Sequence, residues 1–176
     1  MISCHVLYEA GYPYALEGVR YNFNCNKSRM TEVTKVLAKK DRGHDKFLRM
    51  IVCWASITAP RFFWTEFDTY SVGVVRNSES TIHTLLKKPL SQENFCEEIP
   101  QSYIDHINYM IEQKKLRNAK GLLPESFMQT RMVMMSYAAI KNIIIQRKNH
   151  PLKEWQEFID AMYLQLNHSE LLPERT

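Results

Sequence analysis

The sequence predicts a single α+β domain, with a central, mainly antiparallel sheet and a helix-rich C-terminal half. Three observations carry this reading. The stretch ISCHVLYEA (2–10) alternates apolar and polar residues and stops at Gly11 and Pro13. The stretch FLRMIVCWASI (47–57) is an apolar run with β-branched residues, the mark of a buried strand. Beyond residue 90, apolar side chains recur at helical spacing behind Ser and Pro starts. No repeat or low-complexity linker divides the chain, so residues 1–176 read as one domain.

The elements follow in order. After the opening strand, SRMTEVTKVLAKKDRG (28–43) predicts a helix capped by Ser28 or Thr31, with a Val33, Val36, Leu37 stripe and Gly43 as its stop. The buried strand over 47–57 leads to Pro60, and a short helix starts there because Phe63, Phe67 and Tyr70 fall at i, i+4, i+7. Residues 71–86 read as a loop through Gly73 and RNSES into a strand or short helix. Ser91 caps a short helix over 91–95. Residues 100–119 form a helix with apolar positions 103, 104, 107, 110 and 111. The span 124–148 reads as the longest helix, from Pro124, striped by Met128, Met132, Met135, Ala139, Ile140 and Ile143. A last helix, 151–166, carries Pro151 at its first position and Trp155, Phe158, Ile159, Met162 and Leu166 on one side.

Composition narrows the function. With 45% hydrophobic and 11% aromatic residues the chain is no disordered segment, and at 176 residues it is large enough for a real core. A net charge of +4 permits an anionic partner without demanding one, since 23 Lys and Arg are dispersed among 19 acids. The cysteines at 4, 25, 53 and 96 form no CxxC pair and read as free thiols of a reducing cytoplasm. No apolar window is long enough for a membrane span and no signal peptide is visible, so a soluble cytoplasmic protein is expected. The common phosphate-loop, dinucleotide, zinc-protease and serine-hydrolase motifs are absent. The six histidines share no metal-ligand spacing, so no metal is expected, and five glycines leave no glycine-rich loop.

Candidate site residues cluster around PRFFWTEFDTYSVG (60–73). Glu66 and Asp68 are the candidate catalytic pair; on a helix they diverge by about 200°, on a strand they share a face, and two plain surface carboxylates are the alternative. Arg147, Lys148 and His150 end the long helix, either as dipole partners or as an anion site. Arg76, Ser78 and Ser80 give RNSES the inventory of a phosphate contact, which surface loops also show. Aromatic stacking without a basic stripe gives nucleic acid little support.

Together these segments resemble the flavin-dependent thymidylate synthases over roughly residues 30–155. AKGLLP (119–124) is similar to that family's Ala-Arg-x-x-Leu-Pro motif, and IKNIIIQRKNHPLKEW (140–155) to its helix ending in a substrate-binding Arg, with Asn142 in place. GHDKF (43–47) resembles its Gly-His-Glu segment. The departures are equally specific. Glu66, Phe67 and Asp68 stand where the flavin signature has Arg, His and Arg; the Ser-x-Arg-Tyr element is not reproduced; and Lys120 replaces the motif Arg. The resemblance implies a nucleotide-binding scaffold and a homo-oligomer, a tetramer in that family, with sites between subunits. Arg147 and His150 would meet base or phosphate, with Lys120, Arg76, Ser78 and Ser80 on the phosphate. Trp64, Phe67 and Tyr70 would stack on a base or on the isoalloxazine of FAD. A pyrimidine-modifying flavoenzyme with altered chemistry is one expectation. A non-catalytic nucleotide-sequestering or protein-interaction protein, such as a viral effector, is the other.

Overall fold

The computed structural model describes residues 2–23 and 27–174. Cys25 and the side chain of Ser28 fall outside the described part. A four-stranded antiparallel sheet of order β1-β2-β4-β3 forms the centre: β1 Ser3–Ala10, β2 Val52–Pro60, β3 Val74–Ser78 and β4 Met128–Ser136. Helices α1 (Tyr12–Phe23) and α2 (Lys27–Ala38) lie between β1 and β2 in the chain, and α3 (Arg61–Phe67) follows β2 directly. After β3 come the single turn α4 (Thr81–Thr84), then α5 (Gln101–Glu112) and α6 (Leu116–Gly121); α7 (Tyr137–Arg147) and α8 (Lys153–Gln165) follow β4. The α+β class and the antiparallel sheet agree with the sequence reading.

Pairing explains the sheet. β2 runs in register with β4 from Val52↔Ser136 to Pro60↔Met128, so one face of the two strands presents Cys53, Ala55, Ile57, Val133 and Met135. These five are wholly buried under α3, α7 and α8. A second, smaller cluster joins Leu85, Leu90, Ile104, Ile107, Ile111 and Phe127 beneath α5 and α6. Burial pushes the thiols of Cys4 and Cys53 up to about 12, so both stay protonated and act as core filling. Among the described residues no helix is long and apolar enough to cross a membrane.

Several elements differ from the expectation. The span 124–148 is not one helix: its first half is β4, and the helix begins at Tyr137 behind the Ser136 cap, whose Oγ accepts from the Ala139 N–H at 3.2 Å. The methionines fit both periods, and pairing with β2 and β3 on both sides decided for the strand. The predicted helix 100–119 breaks in two at Lys114, whose φ is +54°. Helix α2 stops at Ala38, before Gly43, with Val36 facing solvent. The strand read over 47–57 starts only at Val52, because Lys46–Arg49 form a 3-10 turn. The short helix at 91–95 is likewise a 3-10 turn, Gln92–Asn94. Helix α1 has no counterpart in the reading; Pro13 sits in its first turn, where no backbone donor is missed.

Candidate functional site

Pro60 closes β2 in an extended conformation and starts α3, whose seven residues carry the aromatic segment. Phe63, Trp64 and Phe67 point into the core and are at most 1% exposed. Phe63 meets Trp155 at 4.6 Å between ring centroids, and Phe67 stacks on Trp155 at 6.1 Å with planes 11° apart. The Trp64 indole N–H donates to the Ala59 carbonyl at 3.0 Å and the Gln129 carbonyl at 3.1 Å. Trp64 and Phe67 are therefore core residues rather than a stacking platform. Burial against the sheet, not ligand recognition, explains this aromatic run. Tyr70 is 8% exposed, and its hydroxyl donates to Gln146 Oε1 at 3.0 Å.

The two carboxylates of the segment part company, as helical spacing requires. Glu66 turns toward the end of α7. Its Oε2 accepts from Arg147 Nη1 at 3.0 Å and Trp155 Nε1 at 2.8 Å, and lies 3.4 Å from His150 Nε2. The Arg147 guanidinium sits 4.7 Å from the Trp155 ring centre and 5.6 Å from that of Tyr70, with Nε donating to the Tyr70 hydroxyl at 2.8 Å. Asp68, at the C-terminal end of α3, faces the sheet instead. It pairs with Arg76 Nε at 2.7 Å and Arg131 Nη1 at 2.9 Å. Arg76 spends further donors on the carbonyls of Tyr70 and Asp68, at 2.9 and 3.0 Å.

The sequence-predicted site residues thus separate into two groups. Arg147, His150, Tyr70 and Glu66 come together on one side of the C-terminal end of α3. Asp68 and Arg76 meet on its other side, joined by Arg131, and Lys120 lines the adjoining cleft. Ser78 ends β3 and Ser80 precedes α4, both exposed, and no contact brings them to Arg147. Glu66 and Asp68 do not face one substrate, because each is held by different arginines.

The basic cleft holds residues the sequence reading did not single out. It encloses about 300 Å³ between Arg61 and Thr65 of α3, Asp68 just after it, Thr81, Lys120, Leu123, and Gln129 and Arg131 of β4. Three cations face one carboxylate here. Arg61 also donates to the Leu123 carbonyl at 2.6 Å and lies 3.6 Å from Glu125. The Arg131 guanidinium packs 4.3 Å over the Trp64 ring, and its buried Nε has no hydrogen-bond partner. Strand alternation could have shown Gln129 and Arg131 on one face, but only once 128–136 was read as a strand. Among the described residues no group of three or more His, Cys, Asp or Glu side chains is placed to hold a metal.

No protein-family model and no curated protein matches the sequence. Solved structures do match. A crystal structure of thymidylate synthase X from Helicobacter pylori with FAD and dUMP superposes with a TM-score of 0.84 over 99% of both chains at 16% identity. A second structure of the flavin-dependent enzyme from that organism, also with FAD and dUMP, gives 0.81 over 96% of each chain at 16% identity. This chain has the flavin-dependent thymidylate synthase fold. On that fold, the two carboxylates of segment 60–73 are ion-paired within the chain, and two of its three expected stacking rings are sealed in the core.

Proposed function

We propose that this chain is a nucleotide-binding protein on a thymidylate-synthase-type scaffold, acting by binding rather than by flavin redox chemistry. The observation that carries the reading is the convergence of Arg61, Lys120 and Arg131 on one cleft with Asp68 as its single carboxylate. Arginine forks and a lysine point charge suit phosphate oxygens, and the hydroxyls of Thr65 and Thr81 with the Gln129 amide add neutral contacts. The nucleotide of the Helicobacter pylori structures, dUMP, is the natural probe.

Calorimetric titration with dUMP and with inorganic phosphate tests this. Lys120→Ala, a change at an exposed position, should weaken binding of both about tenfold, the equivalent of one charge-assisted hydrogen bond of roughly 1.5 kcal/mol. Arg131→Ala should weaken it further. Undiminished affinity in both variants would place the ligand elsewhere. Incubation with excess FAD followed by desalting should leave a colourless protein. A retained flavin absorbance would restore the altered pyrimidine-modifying enzyme as the better account.

The homo-oligomer implied by the family resemblance gains support from the sheet. Its outer face presents Tyr8, Trp54, Met134 and Val75 as one row across all four strands, in register. Tyr8 is 65% and Val75 62% exposed, and the paired outward positions carry no Asp, Glu, Lys or Arg. A second copy of the chain, offering the same uncharged surface, is the partner this face suits. Light scattering should report a mass above one protomer that falls to the monomer in Val75→Lys. A wild-type monomer at micromolar concentration would overturn the assignment.

A further inference from the structure

We propose that the Glu66 carboxylate is a built-in occupant of a carboxylate site, a latch that closes the Arg147 end of the protein to external anions. The donors that converge on Glu66 Oε2 all come from the C-terminal part of the chain: Arg147 ends α7, His150 follows it, and Trp155 belongs to α8. Glu66 reaches them from α3. The donor set is therefore a site in its own right, and the carboxylate enters it from a separate element.

The donors are also fixed without it. Trp155 is wholly buried, so its indole N–H keeps its direction. The Arg147 guanidinium packs on the Trp155 ring at 4.7 Å and is tied through Nε to the Tyr70 hydroxyl at 2.8 Å. Donors held in this way bind an anion with little ordering cost. Glu66, by contrast, occupies the last full turn of a helix, where a negative charge opposes the dipole. Its side chain keeps 32% of its surface, so a small ligand can reach the same place. The class that fits is a planar carboxylate small enough to span an Arg fork and one indole N–H. In the native chain such a ligand engages Arg147 only by displacing Glu66, which makes the contact autoinhibitory. This inference does not depend on the basic cleft across α3.

Chemical rescue tests it. Glu66→Ala should melt below the wild type, and sodium formate should raise its melting temperature saturably by several degrees. Sodium chloride at equal ionic strength should not. The wild type, already occupied, should respond equally and weakly to both salts. In the Glu66→Ala, Arg147→Ala double variant the formate response should vanish. Glu66→Gln keeps the shape without the charge and carries the test if the alanine variant fails to fold; formate should stabilise it less than Glu66→Ala but more than the wild type. A folded Glu66 variant to which formate and chloride are indistinguishable would overturn the latch, whatever dUMP does at the cleft.

Discussion

Gly11→Ala is expected to lower the melting temperature by about 6–20 °C, the counterpart of roughly 3–5 kcal/mol in a chain of this size. Gly11 joins β1 to α1 at φ +96°, a conformation that costs a side-chain-bearing residue strain of order 1–3 kcal/mol. Space adds to the cost. A Cβ there would lie 2.0 Å from the Met50 carbonyl oxygen and 3.3 Å from the Ile51 Cα, both backbone atoms just ahead of the central strand β2. Relief would require moving the entry to β2, and with it the register against β1 and β4. Gly43 is the internal control. Its φ is +85°, but a Cβ would meet nothing within 4 Å, so Gly43→Ala should cost only about 1–2 kcal/mol. Thermal melts of the two variants side by side decide the matter; equal losses would mean that conformation alone, not the close approach to Met50, sets the price.

That Gly11 ends a strand was legible in the sequence, because alternation stops where Gly and Pro begin. What it touches was not, since Met50 arrives through tertiary packing. The same division runs through the molecule. Strands β1 and β2 were visible from alternation and from β-branched content. Strand β4 was not: TRMVMM has no aromatic residue and only two β-branched ones, and methionine suits either period. Its identity comes from lying between two other strands. At the site, Glu66 and Asp68 were rightly seen to diverge on a helix, and Arg147 to end α7. Charge pairing was invisible, because it depends on which arginine each carboxylate meets: Arg147 comes from 81 positions away and Arg131 from 63. The ring segment misled for a related reason. A run of aromatics beside charges looks the same whether the rings cover a ligand or a sheet, and only burial separates the two.

Trp155→Ala is expected to cost about 3–5 kcal/mol, again about 6–20 °C in melting temperature, and to disorganise the Arg147 end of the site at the same time. Trp155 is 0% exposed and packs on Phe63, Phe67, Tyr70 and Phe158, so truncation opens a cavity at the junction of α3 and α8. It also removes the 2.8 Å donor to Glu66 and the ring on which the Arg147 guanidinium packs. Trp155→Phe separates these effects. It keeps most of the packing and a ring under Arg147 but loses the N–H, and a lost hydrogen bond to a charged group is worth about 1.5–3 kcal/mol. Equilibrium unfolding in denaturant should therefore rank wild type above Trp155→Phe and Trp155→Phe above Trp155→Ala, with the phenylalanine variant in a Glu66→Gln background losing less than in the wild type because the charge it abandons is no longer there. Additive losses in that cycle would mean that Trp155 supports the core alone. Coupled losses would mean that the aromatic core and the latch are one unit, in which the ring that seals the domain also aims the donor that holds Glu66 on Arg147.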